Sequence, residues 1–171
     1  MKLFGLYLGG RAPGCTIEVH DVIFCVAKSL EETYPIVVKK WFGEPSKVHI
    51  DSYIELRHVD GYRIELSYRA AENEKKLFFV DFGGYLRGLF GEMHQSTFFV
   101  AEDEREAIRK AKETLCFGLY EQHLDECINV ENLLTISEID GYHLIFTPDP
   151  LTPSSKANPG YQSVKSFSFI G

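Results

Sequence analysis

Four short motifs pair an imidazole with a carboxylate two residues away: Glu18-x-His20, His49-x-Asp51, Glu92-x-His94 and His123-x-Asp125. Side chains two apart leave an extended strand on the same face. If the strands that carry them are neighbours, two imidazoles and two carboxylates converge in each half of the chain. Such a set suits zinc, iron or manganese, with the carboxylates binding directly or orienting the rings. A bound ion can activate water for hydrolysis. Without a metal, each His–carboxylate pair can work as a general acid–base unit. A plainer reading competes with both. Positions 18, 20, 22, 24 and 26 read Glu, His, Val, Phe and Val, which puts the pair on the same face as expected core residues. A His bonded to a carboxylate at a sheet end only satisfies donors. All eight residues are therefore ligand-binding or structural polar pairs. His20, His49, His94 and His123 are the metal candidates, and none of the eight is assigned a catalytic role.

The elements that must position these residues occur twice. Residues 2–27 align without a gap on residues 76–101. The identities include Lys2/Lys76, Gly9/Gly83, Gly10/Gly84, Gly14/Gly88, Glu18/Glu92 and His20/His94. The same offset pairs His49 with His123 and Asp51 with Asp125. After a six-residue insertion, Val59-Asp60-Gly61-Tyr62 matches Ile139-Asp140-Gly141-Tyr142. Such a repeat suggests duplication of a supersecondary unit.

In each copy an apolar run (LFGLYL or LFFVDF) ends at Gly-Gly and reads as a buried strand. HDVIFCVA and HQSTFFVA read as second strands. A helix follows. Ser29 and Asp103 are its expected N-caps, with Glu32 and Glu106 at capping-box spacing. Pro35 predicts a late start or a kink in the first helix. Trp41-Phe42-Gly43 is expected to close that helix, with Gly43 ending it. Asp-Gly then predicts a hairpin in each copy.

The expectation is an α+β protein of two ββαββ units related by a pseudo-two-fold, with mixed or antiparallel sheet and two helices. The first repeat spans 1–67 and the second 76–147, together forming one compact domain. Residues 148–171 are a Pro/Ser-rich tail, irregular at first, whose end SVKSFSFIG alternates like an edge strand.

The residues Gly9, Gly10, Gly14, Glu18, His20, Asp21, Trp41-Phe42-Gly43, His49-Ile50-Asp51 and Asp60-Gly61-Tyr62 form a pattern. It resembles the bacterial family catalogued as domain of unknown function 1543, whose members carry one or two copies of the domain. The second copy is looser, with Gln95 in place of Asp21 and Leu115-Cys116 in place of Trp41-Phe42. The resemblance covers about residues 1–150. It implies a bacterial, cytoplasmic protein and no particular activity.

Composition narrows the function classes. A net charge of −7 over 171 residues argues against nucleic acid and against an anionic membrane surface. No apolar run is long enough to span a bilayer. Cys15, Cys25, Cys116 and Cys127 form no close CxxC pair, which fits a reduced, cytoplasmic location. There is no nucleophile elbow and no HExxH spacing. The leading expectation is a non-enzymatic binding or interaction module for a small polar ligand or a protein partner. The alternative is a metal-dependent hydrolase using the duplicated pairs. A homodimer through an edge strand or hairpin is compatible with either.

Overall fold

The computed structural model describes residues 1–69, 74–115, 118–133 and 142–164. The chain divides into two compact units. Of the described residues, 1–57 and 155–164 belong to the first, and 58–69, 74–115, 118–133 and 142–154 to the second. All strand pairings among the described residues are antiparallel. The fold is α+β and mostly sheet.

The first unit is a four-stranded sheet of order β10-β3-β1-β2. Its strands are β1 (Lys2–Gly10), β2 (Val19–Ala27), β3 (His49–Glu55) and β10 (Asn158–Ser163). The Gly-Gly pair ends the first strand, as the sequence suggested. β1 runs through Gly9 and Gly10, both buried.

One face of this sheet carries Phe4, Leu6, Leu8, Ile23, Cys25 and Ala27, packed with Val37 and Trp41 of the helical segment. Alternation along each strand leaves the opposite face for the polar motifs. The helical segment starts late. A 3-10 turn (Glu31–Thr33) precedes α1 (Tyr34–Lys40), and Pro35 sits in the first turn, where a missing N–H costs nothing. Ser29 is not the cap of this helix. The Glu32 carboxylate instead accepts from the Lys28 backbone N–H.

Trp41 ends α1 in extended conformation. Gly43 is not a left-handed helix stop. It is glycine because a Cβ there would lie 2.2 Å from the Arg11 carbonyl oxygen.

The tail contributes its strand earlier than its alternation suggested. β10 pairs with β3 through Asn158–Ser163. Its Pro159 is tolerated because the strand is at the edge. Residues 165–171 lie outside the described residues.

The second unit holds two three-stranded sheets. One has the order β7-β6-β8, built from β6 (Lys76–Tyr85), β7 (Met93–Ala101) and β8 (Tyr120–Asn129). Phe78, Val80, Phe82, Phe99 and Ala101 pack against Ala107, Ala111 and Leu115 around α2 (Glu104–Thr114). Here the Asp103 cap forms. Asp103 accepts from the Glu106 N–H at 2.9 Å, and the Glu106 carboxylate accepts from the Glu102 N–H at 2.7 Å. That second bond, aided by Lys110 and Lys75, holds Glu106 below its ordinary pKa. A single helical turn, α3 (Val130–Leu133), follows β8.

The other sheet has the order β4-β5-β9, from β4 (His58–Val59), β5 (Tyr62–Ser67) and β9 (His143–Pro148). The first Asp-Gly hairpin is present, with Asp60 at φ 53° and Gly61 at φ 78°, the left-handed pair that a type I′ turn requires. The Asp60 carboxylate also accepts from the Val100 N–H and from Lys110 Nζ, at 3.3 and 2.7 Å. The Asp140-Gly141 turn lies outside the described residues. Among the described residues no helix is long and apolar enough to cross a membrane.

The two expected caps behave differently, and this can be measured. Asp103→Ala is expected to lower stability by about 1 kcal/mol through loss of the cap. Ser29→Ala should change it by less than about 0.5 kcal/mol, as an exposed substitution. Urea unfolding of both variants checks this. Equal losses would mean that Ser29 caps its helix after all.

Candidate functional site

In the first unit the register sets one row across three strands. Gly9 on central β1 lies opposite His20 on β2 and opposite His49 on β3. An imidazole thus reaches in from each side over a position with no side chain. A Cβ at Gly9 would lie 2.5 Å from Asp51 Oδ2, 2.6 Å from His49 Nε2 and 3.1 Å from Glu18 Oε1. Glycine here is therefore a condition for the cluster to exist.

A β-bulge brings in the second carboxylate. The β1–β3 register passes from Tyr7↔Ser52 to Leu8↔Ile50, so Asp51 is the extra residue. Bulges sharpen the local twist and re-aim side chains. This one turns Asp51 inward over Gly9. Glu18 sits one residue before β2 and completes the group.

His20 Nε2 lies 3.5 Å from both Glu18 Oε1 and Asp51 Oδ2. His49 Nε2 lies 3.6 Å from Glu18 Oε1 and 3.2 Å from Asp51 Oδ1. Two tyrosines flank the rings. Tyr7 stacks on His20 at 5.5 Å between centroids, and Tyr161 packs on His49 at 4.6 Å.

The second unit repeats this local arrangement. Gly83 on β6 lies opposite His94 on β7 and His123 on β8. A Cβ at Gly83 would lie 2.6 Å from Asp125 Oδ2 and from Glu92 Oε1, and 2.9 Å from His123 Nε2. The register passes from Asp81↔Glu126 to Phe82↔Leu124, so Asp125 is again the bulged residue. His123 Nε2 lies 2.7 Å from Glu92 Oε1 and 3.2 Å from Asp125 Oδ1. His94 Nδ1 lies 3.2 Å from Asp125 Oδ2, and its Nε2 lies 3.7 Å from Glu92 Oε2. Tyr85 stacks on His123 at 6.0 Å. The Glu92 carboxylate raises the Tyr85 pKa above its ordinary value.

The sequence reading missed Asp81. Its Oδ2 lies 3.4 Å from His94 Nδ1. Desolvation raises its pKa, partly opposed by His94. The signal was present, since Asp81 is two residues before Gly83 and so shares its face. In the first unit that place, two residues before Gly9, is held by Tyr7.

Hydrogen-bond accounting fixes the ring tautomers. A carbonyl oxygen only accepts. The contact of His49 Nδ1 with Lys47 O at 3.3 Å, and that of His123 Nδ1 with Glu121 O at 2.9 Å, therefore place a proton on Nδ1. In the neutral rings, Nε2 then turns a lone pair toward carboxylate oxygens. Glu92 Oε1 and Asp125 Oδ2 are buried with no hydrogen-bond partner, even though Glu92 Oε1 is so close to His123 Nε2. The Nε2 atoms of His49 and His123 thus face acceptors, and no lysine or arginine ion-pairs with Glu18, Asp51, Asp81, Glu92 or Asp125 among the described residues. A cation, either a proton or a metal ion, would satisfy them.

The eight predicted residues thus fall into two groups of four, each within its own unit. Within each group the imidazoles and carboxylates lie 2.7–3.7 Å apart, and most are only partly buried. The side chains of His20, His94 and His123 are 43%, 48% and 41% exposed, and only His49, at 9%, is enclosed. The strand face they share does become core further along, at Phe24 and Val26. Among the cysteines, Cys15, Cys25 and Cys127 are free thiols, and burial pushes Cys127 up to about 11. Cys116 lies outside the described residues.

With this geometry in view, comparison with known proteins is informative. A crystal structure of a protein Il1583 from Idiomarina loihiensis matches with a TM-score of 0.71 and 35% identity, covering 97% of this chain and 99% of that one. The chain belongs to the family of that protein. Residues 15–66 also match the model of a Domain of Unknown Function (DUF1543). The matched span contains Glu18, His20, His49 and Asp51, the whole first group. No curated protein matches the chain. The family's description carries no activity, so chemistry has to be argued from the side chains.

In the metal-free protein, the Glu121 carbonyl first, then Asp125 and Glu92, raise the His123 pKa above 6.5. A raised folded pKa means stabilisation that is complete below the unfolded value and lost as pH rises through the folded one. NMR titration of the imidazole should give a His123 midpoint above 6.5, moving down in Asp125→Asn. A midpoint at or below 6.5 would refute the contacts drawn here.

Proposed function

We propose that this protein is a metal-binding module, taking a divalent transition-metal ion at the His–carboxylate group of each unit. Zinc is the first choice, and iron and manganese are the others compatible with the donors. One observation carries the reading. In the first unit, the four imidazole–carboxylate separations are 3.2 to 3.6 Å. Charge-assisted hydrogen bonds are shorter, about 2.7–2.9 Å. Ligands about 2.1 Å from a tetrahedral zinc ion stand about 3.4 Å apart. Glu18, His20 and Asp51 are spaced as ligands around a common centre rather than as partners of one another.

The Nδ1–H···O=C bonds of His49 and His123 support the same reading, since metal-ligating imidazoles typically donate their other N–H in this way. The repeated arrangement around Gly9 and Gly83 supports descent of the two units from one duplicated ancestor. The half-open rings leave room for water or a small polar ligand on the ion, which keeps a hydrolytic role as the second reading.

The test is plasma mass spectrometry on untagged protein purified without chelator and reconstituted with zinc or manganese. Near-stoichiometric metal is expected. Replacing His20, His49, His94 and His123 together by alanine should reduce it to trace while circular dichroism stays unchanged. Gly9→Ala should weaken binding in the first unit at least tenfold without unfolding it, because the new Cβ displaces side-chain ends, not backbone. No metal above trace after reconstitution would overturn the proposal.

A further inference from the structure

The two groups differ in a way that bears on how many ions each accepts. In the first unit a single oxygen, Glu18 Oε1, faces both imidazoles, at 3.5 and 3.6 Å. Both rings present Nε2, and Asp51, like Asp125, divides its oxygens between them, but only one set of three mutually close ligand groups forms here, Glu18, His20 and Asp51.

In the second unit the donors separate into two sets. Asp81, His94 and Asp125 offer ligand atoms within 4.8 Å of one another, and so do Glu92, His123 and Asp125. Asp125 belongs to both. Its Oδ2 faces His94 Nδ1 and its Oδ1 faces His123 Nε2, each at 3.2 Å. Glu92 likewise turns Oε1 to His123 and Oε2 to His94.

The charge differs in the same sense. Glu18 and Asp51 supply two negative charges, which one divalent ion neutralises. Asp81, Glu92 and Asp125 supply three, with no lysine or arginine paired to them among the described residues.

We infer that the second unit takes two divalent ions bridged by the Asp125 carboxylate, and the first unit only one. One ion would be held by Asp81, His94 Nδ1 and Asp125 Oδ2, the other by Glu92, His123 Nε2 and Asp125 Oδ1. A carboxylate bridging through both oxygens suits two ions about 3.5–4 Å apart, with water or hydroxide completing their coordination. Asp81 decides the difference, because the first unit has Tyr7 in the corresponding place, a phenol where the second unit has a carboxylate.

This inference rests on the metal-binding reading, and native mass spectrometry of the intact chain loaded with zinc or manganese separates the two. Three ions per chain are expected, falling to two in Asp81→Asn and to one in Asp125→Asn. The manganese form should show an exchange-coupled electron paramagnetic resonance signal that is absent in Asp81→Asn. Two ions per chain, with none lost in Asp81→Asn, would overturn the paired site and leave the metal-binding reading standing, with Asp81 only orienting His94. No bound ion in any form would overturn both.

Discussion

The site geometry depends on a glycine at the centre of a three-strand row. Gly9 and Gly83 each lie between two histidines of neighbouring strands. Opposed side chains on adjacent strands stand about 5 Å apart, so two imidazoles flanking a central strand meet only if the residue between them has no side chain. Glycine inside a strand costs about 0.5–1 kcal/mol against alanine. Its position here allows carboxylate and imidazole atoms to come within 3 Å of where a Cβ would be. The bulge at Asp51 or Asp125 follows from the same constraint, since a carboxylate must lean over the glycine to join the rings.

This arrangement uses the two faces of each sheet for opposite purposes. Alternate residues of β1 and β6, such as Leu6, Leu8, Val80 and Phe82, are buried beneath a helical segment. The residues between them hold the polar groups. Strand alternation therefore couples stability to the site, because a register slip of one residue would exchange the two faces. Asp81 is the carboxylate whose burial works against the metal-free fold. Asp81 and Asp125 repel each other, and desolvation already raises the Asp81 pKa. An ion that binds only the folded state would offset that repulsion, so occupancy and stability are linked.

Much of this was legible in the sequence, and the parts that were not have physical reasons. The i, i+2 pairs, the Asp103 cap and the Asp60-Gly61 turn follow from local geometry, which a short stretch of chain determines by itself. Gly9-Gly10 was legible as a strand end, but only the neighbouring strands reveal that Gly9 lies between two histidines. Ser29 has the right spacing to cap a helix, but Pro35 moves the helix start to Tyr34 and leaves Ser29 too far upstream. Asp81 looked like one acidic residue in an apolar strand. Its role depends on the register that sets His94 and Asp125 beside it, and register is a property of pairing rather than of local sequence.

The balance between binding and catalysis can also be argued from the donors. A hydrolytic metal centre needs an ion with an open position and, beside it, a base that is not itself a ligand. In the first unit each imidazole faces both carboxylates, so none of the four stands apart as a free base. Tyr161 packs on His49 and Tyr7 on His20, which holds the rings in place. That is how a site built to hold an ion would be arranged. The second unit is less committed. Asp81 gives it one carboxylate more than the first, and Glu92 divides its oxygens between two rings. If either unit carries out chemistry, it is the second, and the first is better suited to binding alone.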